Sequence, residues 1–176
     1  MKHIDIKDKL RGMGVDPATI ALGDFDIIGE YTAKRTRDRG SENYQKYGAF
    51  YRSNYERGIL IYHLIRRYGL TSMLEVGFGR GYATMCAAKA FHDAGVQGEI
   101  FTIDPQFDEK FLQALSQVLN KDWFSYIKFI RGTSQQVMKD PKLSERKYDL
   151  IYIDGDHSYE ATQHDWERSK ERFAKV

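Results

Sequence analysis

A chain of 176 residues has the length of one domain and enough material for one core. Its 27 basic and 25 acidic side chains nearly cancel to +2, which points to no polyanionic partner, and its single cysteine, Cys86, excludes an internal disulfide. No run approaches the about 18 apolar residues of a membrane span and no secretory h-region stands out, so a cytoplasmic protein with no membrane partner is the expectation.

The first 55 residues read as a partly irregular, partly helical N-terminal extension or lid. Residues 2–11 are charged and form either a short helix or a disordered start. A helix is expected over 16–22, with Asp16 as cap, Pro17 at its first position and Gly23 as stop. The charge-rich run 34–43 is either a solvated surface segment or a mobile basic loop near a ligand entrance. Tyr44, Tyr47, Phe50, Tyr51 and Tyr55 follow, and either pack on the domain or line a pocket. Helical periodicity then runs over 55–68, with Ile59, Leu60, Tyr62 and Ile65 in its stripe and Gly69 as stop; His63 reads as a surface or packing residue.

From residue 56 to the end the pattern is that of an α/β domain. Strands are expected at 73–76, 100–104, 127–130 and 150–153, and helices at 82–93, 109–119, 134–138 and from 159 to the chain end. Such alternation requires a mostly parallel sheet with helices on its faces. Ligands of these sheets sit beyond the carboxyl ends of the strands, where Glu75, Asp104 and Asp154 all fall. Cys86, inside the small-residue helix, reads as a buried side chain.

The densest signal is the stretch 72–84. An apolar run ends in Glu75, glycines follow at Gly77, Gly79 and Gly81, and a helix of small residues begins. Glycine reaches positive φ at no steric cost and lets a ligand approach the backbone, while the helix start offers free N–H groups. The spacing is neither the dinucleotide Gly-x-Gly-x-x-Gly nor a P-loop. Asp104 closes a strand, where it either accepts from vicinal ribose hydroxyls or caps a turn. Glu75 either meets a ligand ammonium or water, or pairs with nearby backbone N–H groups. In Gly132-Thr-Ser-Gln135 a hydroxyl and an amide at a helix start serve as cap and box, or read an adenine edge. Asp154-Gly-Asp-His-Ser-Tyr159 holds two carboxylates and an imidazole, which is a partial divalent-cation site with a base, or a polar turn capping the last helix. Asp165 is either a further ligand or a surface residue.

Leu74-Glu-Val-Gly-Phe-Gly-Arg-Gly81 resembles the glycine motif of class I S-adenosylmethionine-dependent methyltransferases, and Phe101-Thr-Ile-Asp104 resembles their ribose-binding acid. Gly132-Thr-Ser-Gln135 is similar to the adenine-side segment of the catechol-type O-methyltransferases. Tyr152-Ile-Asp-Gly-Asp-His-Ser-Tyr-Glu160 resembles the metal-dependent branch that methylates sugar hydroxyls, a grouping that also holds cephalosporin-hydroxylase-like sequences. Arg39-Gly-Ser-Glu-Asn, with Tyr51 and Tyr55-Glu56, is a weaker echo of that branch. The resemblance covers residues 36–170.

It implies a Rossmann-like sheet whose domain, 56–176, binds S-adenosyl-L-methionine. Gly77, Phe78, Gly79 and Gly81 would surround the cofactor's amino-acid end, Glu75 would sit beneath it, Asp104 would hold the ribose, and Ser134 and Gln135 the adenine. Asp154 would be a magnesium ligand and His157 the general base, in a methyl transfer to a hydroxyl of a small molecule such as a sugar. The family's domain continues with further strands and a second acidic pair of metal ligands. The expectation is therefore a sheet lacking its last strands, an incomplete metal site, and self-association or a missing segment at an open edge on the fourth strand. The alternative is a cofactor-binding, non-catalytic module or partner subunit. The Asn/Asp-Pro-Pro-Tyr signature of nucleic-acid methyltransferases is absent, and a nucleic-acid partner is not expected.

Overall fold

The structure, a computed structural model, describes residues 5–15, 55–79, 81–106 and 109–174, apart from the side chains of residues 55, 56, 111, 114, 115 and 118. The helix expected over 16–22, the charged run 34–43 and the aromatics 44–51 lie outside the described residues.

Four short runs of β-branched, aromatic and aliphatic residues form the strands: β1 (Ser72–Val76), β2 (Glu99–Asp104), β3 (Ile127–Arg131) and β4 (Leu150–Ile153). They make one sheet in the order β3-β2-β1-β4, and every pairing is parallel. The apolar side chains of β1 are almost wholly buried, as a central strand covered on both faces requires. The register sets Glu75 of β1 between Thr102 of β2 and Tyr152 of β4.

Helices cover the faces. α1 (Ile6–Gly12) begins at Asp5, whose carboxylate accepts from the N–H of Lys7, and it drops Leu10 into the main core. The charged start is thus helical from Ile6 on. α2 (Tyr55–Tyr68) buries Ile59, Ile61 and Ile65, and α3 (Tyr82–Ala94) buries nearly all of its small residues. The two helices touch closely at Gly58, where an added Cβ would lie 2.5 Å from Cys86 Sγ. Cys86 is fully buried, and burial pushes its thiol well above the usual range. Arg67 ties α2 back to α1 by donating to the Met13 carbonyl at 2.9 Å. After β2 come α4 (Glu109–Val118) and a 3-10 turn (Lys121–Tyr126), and after β3 the short α5 (Ser134–Val137) and α6 (Pro141–Ser144).

The last helix differs from expectation. α7 (Tyr159–Ser169) stops short, and a 3-10 turn (Lys170–Arg172) follows. No glycine or proline marks this end; backbone pairing does. Tyr148 N–H donates to Arg172 O at 2.8 Å, and Ala174 N–H donates to Tyr148 O at 2.9 Å, so Phe173 forms a parallel bridge beside the approach to β4. Among the described residues, β4 itself pairs on one side only, with β1. Among them too, no helix is long and apolar enough to cross a membrane.

Candidate functional site

The sheet places a crevice before any side chain is considered. β1 has β2 on one side and β4 on the other, so the strand order reverses at β1, and sheets of this kind take their ligands beyond the carboxyl ends at such a point. The glycine turn stands at this point. Gly77, at φ 93, continues the ladder by donating to Ile103 O at 2.8 Å, while Asp154 N–H donates to Val76 O at 2.8 Å. A Cβ on Gly77 would lie 2.3 Å from the Asp154 carbonyl oxygen, so only glycine lets the turn and the end of β4 come together. Gly79, at φ 53, has nothing among the described residues within 4 Å of an added Cβ. Phe78 turns its ring inward: it is buried edge-on against Phe129, with centroids 5.3 Å apart, and under Gly81. Its backbone stays in the turn, where its carbonyl accepts from Gly81 N–H at 2.7 Å. Gly81 then opens α3 without a side-chain cap, which leaves the first helical N–H groups to other acceptors.

Three carboxylates converge on this edge. Asp104 accepts from the backbone N–H of Gly79 at 2.9 Å through Oδ2 and from that of Gln106 at 2.7 Å through Oδ1. Glu75 is buried beneath the turn, and its partners are the hydroxyls of Thr84 on α3 and Thr102 on β2, rather than backbone N–H groups. Burial pushes its carboxyl up to about 7; the two hydroxyls oppose that, and the charges of Asp154 and Asp104 add to it. Thr84 and Thr102 were not singled out in the sequence. The register of β1 on β2 was the only available signal for Thr102.

On the β3 side, Thr133 caps α5 and Gln136 closes a capping box with it. Ser134 and Gln135 are therefore free of the cap. Ser134 is buried and donates to Oδ1 of Asp165 on α7 at 2.5 Å, and Gln135 is exposed. Asp165 is 3% exposed, so it is no surface residue: it also meets His164 Nδ1 at 3.3 Å, and its Oδ2 lies under Gly155.

The loop from β4 to α7 presents the remaining groups. Asp156 accepts from Ser158 N–H at 2.8 Å, Ser158 caps α7, and His157 between them is exposed. Asp154 is held by a group that sequence reasoning missed. Arg57 of α2 donates through Nη1 to Tyr152 Oη at 2.8 Å and to Asp154 Oδ2 at 3.3 Å, and Tyr152 Oη donates to the same Asp154 oxygen at 3.2 Å. Burial and the Asp154 charge push the Tyr152 phenol well above its usual range, so it stays a donor. Taken by themselves the described residues do not complete a magnesium site: Asp154 Oδ2 already takes a guanidinium and a phenol, and no group of three or more His, Cys, Asp or Glu suited to a metal forms among them.

Comparison with known proteins bears on the family and the fold. A family model described as "Methyltransferase domain" matches residues 74–175. The O-methyltransferase TomG from Streptomyces achromogenes, involved in tomaymycin synthesis and solved with SAM, superposes with a TM-score of 0.61 at 14% identity, over 84% of this chain and 60% of that one. SAH-bound PaMTH1, a methyltransferase from Podospora anserina, gives 0.55 at 20% identity, over 85% of this chain and 58% of that one. An O-methyltransferase from Bacillus cereus in complex with SAH gives 0.52 at 18% identity, over 67% of this chain and 51% of that one. The chain thus spans between 51% and 60% of the length of these structures, and the likeness is one of fold. A comparison with curated proteins gives no match.

Proposed function

We propose a function on one premise: this chain belongs to the methyltransferase-domain family. The reading is S-adenosyl-L-methionine-dependent O-methylation of a hydroxyl on a small molecule. The observation that carries it is the 2.9 Å contact between Gly79 N–H and Asp104 Oδ2, because a ligand gripped by both the glycine turn and the acid needs them side by side.

The cofactor fits what the chain offers. Among the described residues nothing crowds Gly79, which stands next to a carboxylate whose oxygens keep lone pairs for ribose hydroxyls, and the uncapped start of α3 suits the amino-acid end. Gly77, Gly79 and Gly81 hold that end, Glu75 lies beneath it, and Gln135 stands on the adenine side. Ser134 offers its backbone and its hydroxyl's acceptor lone pairs there, since the hydroxyl proton goes to Asp165. When bound, the cofactor supplies an electrophilic methyl group on a good leaving group. The chain's part is to orient the acceptor and take its proton; His157, exposed beyond β4, is the base we assign, imidazole being the side chain suited to that near neutral pH. No step is assigned to magnesium. A sugar hydroxyl is the acceptor that the motif resemblance implies. Self-association along the outer edge of β4 belongs to the same proposal.

A second reading, a cofactor-binding module without catalysis, is favoured by one observation: Asp154 is already engaged by Arg57 and Tyr152. Calorimetric titration with S-adenosyl-L-methionine and with NAD, followed by labelled-methyl transfer to sugar, phenol and catechol acceptors, tests both. Binding with transfer supports the first reading, and binding without transfer to any acceptor supports the second. Affinity for NAD alone would overturn the cofactor assignment.

A further inference from the structure

The carboxyl edge of the sheet is crowded with negative charge. Glu75, Asp104 and Asp154 end three adjacent strands, and the charges of Asp154 and Asp104 help keep Glu75 from ionising. Such a place calls for a counter-ion. The one seen against Asp154 comes from far along the chain and is built in. Arg57 stands next to Gly58, whose missing side chain lets α2 settle onto Tyr82 and Cys86 of α3. From there one nitrogen, Nη1, reaches both Tyr152 and Asp154, and the Tyr152 hydroxyl closes a triangle by donating to the same carboxylate oxygen. Arg57 and Asp154 are each 35% exposed, so the pair is partly withdrawn from solvent.

We infer that Arg57 is a positioning residue that takes, at Asp154, the charge-balancing place a divalent cation would otherwise fill, so that the acceptor side of this site works without a metal ion on Asp154. The inference rests on the methyltransferase reading for its catalytic meaning. A metal ion at Asp154 Oδ2 has to displace both a guanidinium and a phenol, and one at Oδ1 meets a carboxylate whose charge the guanidinium already balances. A guanidinium cannot be deprotonated in a protein, so this cation does not leave with pH as a metal leaves with a chelator. It also joins α2, ahead of the sheet, to the loop that carries His157.

The test uses the full chain, with Mn2+ as the probe and water-proton relaxation as the readout. Wild type should show no saturable uptake up to about 1 mM, the weak end of protein sites for hard cations. Arg57→Gln should gain uptake above the wild-type level, weak because Asp154 stands without a ligand cluster among the described residues, that Asp154→Asn in the same background removes, and Arg57→Lys, which keeps the charge, should stay like wild type. Saturable uptake by wild type that Asp154→Asn abolishes would make Asp154 a metal ligand and end the inference, as would an Arg57→Gln variant indistinguishable from wild type. Calorimetry with S-adenosyl-L-methionine, in EDTA and again in Mg2+, decides the cofactor reading separately. Binding in both buffers supports the cofactor reading and absence of binding in both overturns it, whatever the Mn2+ result.

Discussion

The backbone N–H of Gly79 donates to Oδ2 of Asp104 at 2.9 Å, across the gap between the turn after β1 and the end of β2. The other oxygen of the same carboxylate accepts from Gln106 N–H at 2.7 Å. One acid therefore fixes the height of the glycine turn and its own orientation at once, and each oxygen still has a lone pair to offer.

Replacing Asp104 with alanine should weaken S-adenosyl-L-methionine binding by about 1–3 kcal/mol, roughly 5- to 150-fold, because both the ribose acceptor and the clasp on Gly79 are lost. Asparagine keeps an acceptor and should cost less. Calorimetric titration of both variants reads this directly, and an unchanged affinity in the alanine variant would remove Asp104 from the ribose role.

Two glycines of the same turn should fail in different ways. At Gly77 a Cβ would sit 2.3 Å from the Asp154 carbonyl oxygen, and backbone cannot easily move away. Gly77→Ala should therefore lose more than about 2 kcal/mol of stability in urea unfolding. Gly79→Ala meets nothing within 4 Å among the described residues and should bear only the left-handed backbone cost of about 1–2 kcal/mol. Its methyl group would enter the proposed ligand space, so it should stay folded and lose cofactor affinity.

The alternation of strands and helices was legible because it is a local property. Ile100, Phe101 and Ile103 announce β2, and Asp104 followed by Pro105 announces its end. Arg57 was not legible: its partner Asp154 lies 97 positions away, and in a helical pattern Arg57 is only another polar residue. The burial of Asp165 was hidden in the same way, since the Ser134 hydroxyl that satisfies it lies 31 positions earlier. Local capping logic found the right segment at 132–135, but the box proved to be Thr133 with Gln136. The end of α7 was overrun because a backbone bridge to Tyr148, not a stop residue, ends that segment.

Glu75 gives a pH signature. Its folded carboxyl is pushed from 4.5 up to about 7, chiefly by burial. A folded value raised above the unfolded one means that the group's contribution is fully present below about pH 4.5 and is lost as pH rises through about 7. Across that window stability should fall by about 3 kcal/mol on account of this residue. Glu75→Gln should flatten the slope, with the difference between the two proteins changing most between pH 5 and 7 in urea unfolding. A parallel pair of curves would show that Glu75 does not titrate there.

Gly58 links the core to the Arg57 contact. Alanine in a helix interior normally gains about 1 kcal/mol over glycine. Here its Cβ would lie 2.5 Å from Cys86 Sγ and 2.7 Å from the Tyr82 ring, and overpacking of that kind costs about 1–3 kcal/mol. Overpacking should win, so Gly58→Ala should lower the thermal midpoint, and adding Cys86→Ala should recover part of the loss by removing the nearest obstructing atom. The relief should extend further than stability. α2 pushed off α3 carries Arg57 away from Asp154, so Gly58→Ala alone should show some of the Mn2+ uptake expected of Arg57→Gln, and the double variant less of it. Uptake that ignores the state of Gly58 would mean that the guanidinium follows the carboxylate wherever α2 sits, and that the close helix contact is not what places it.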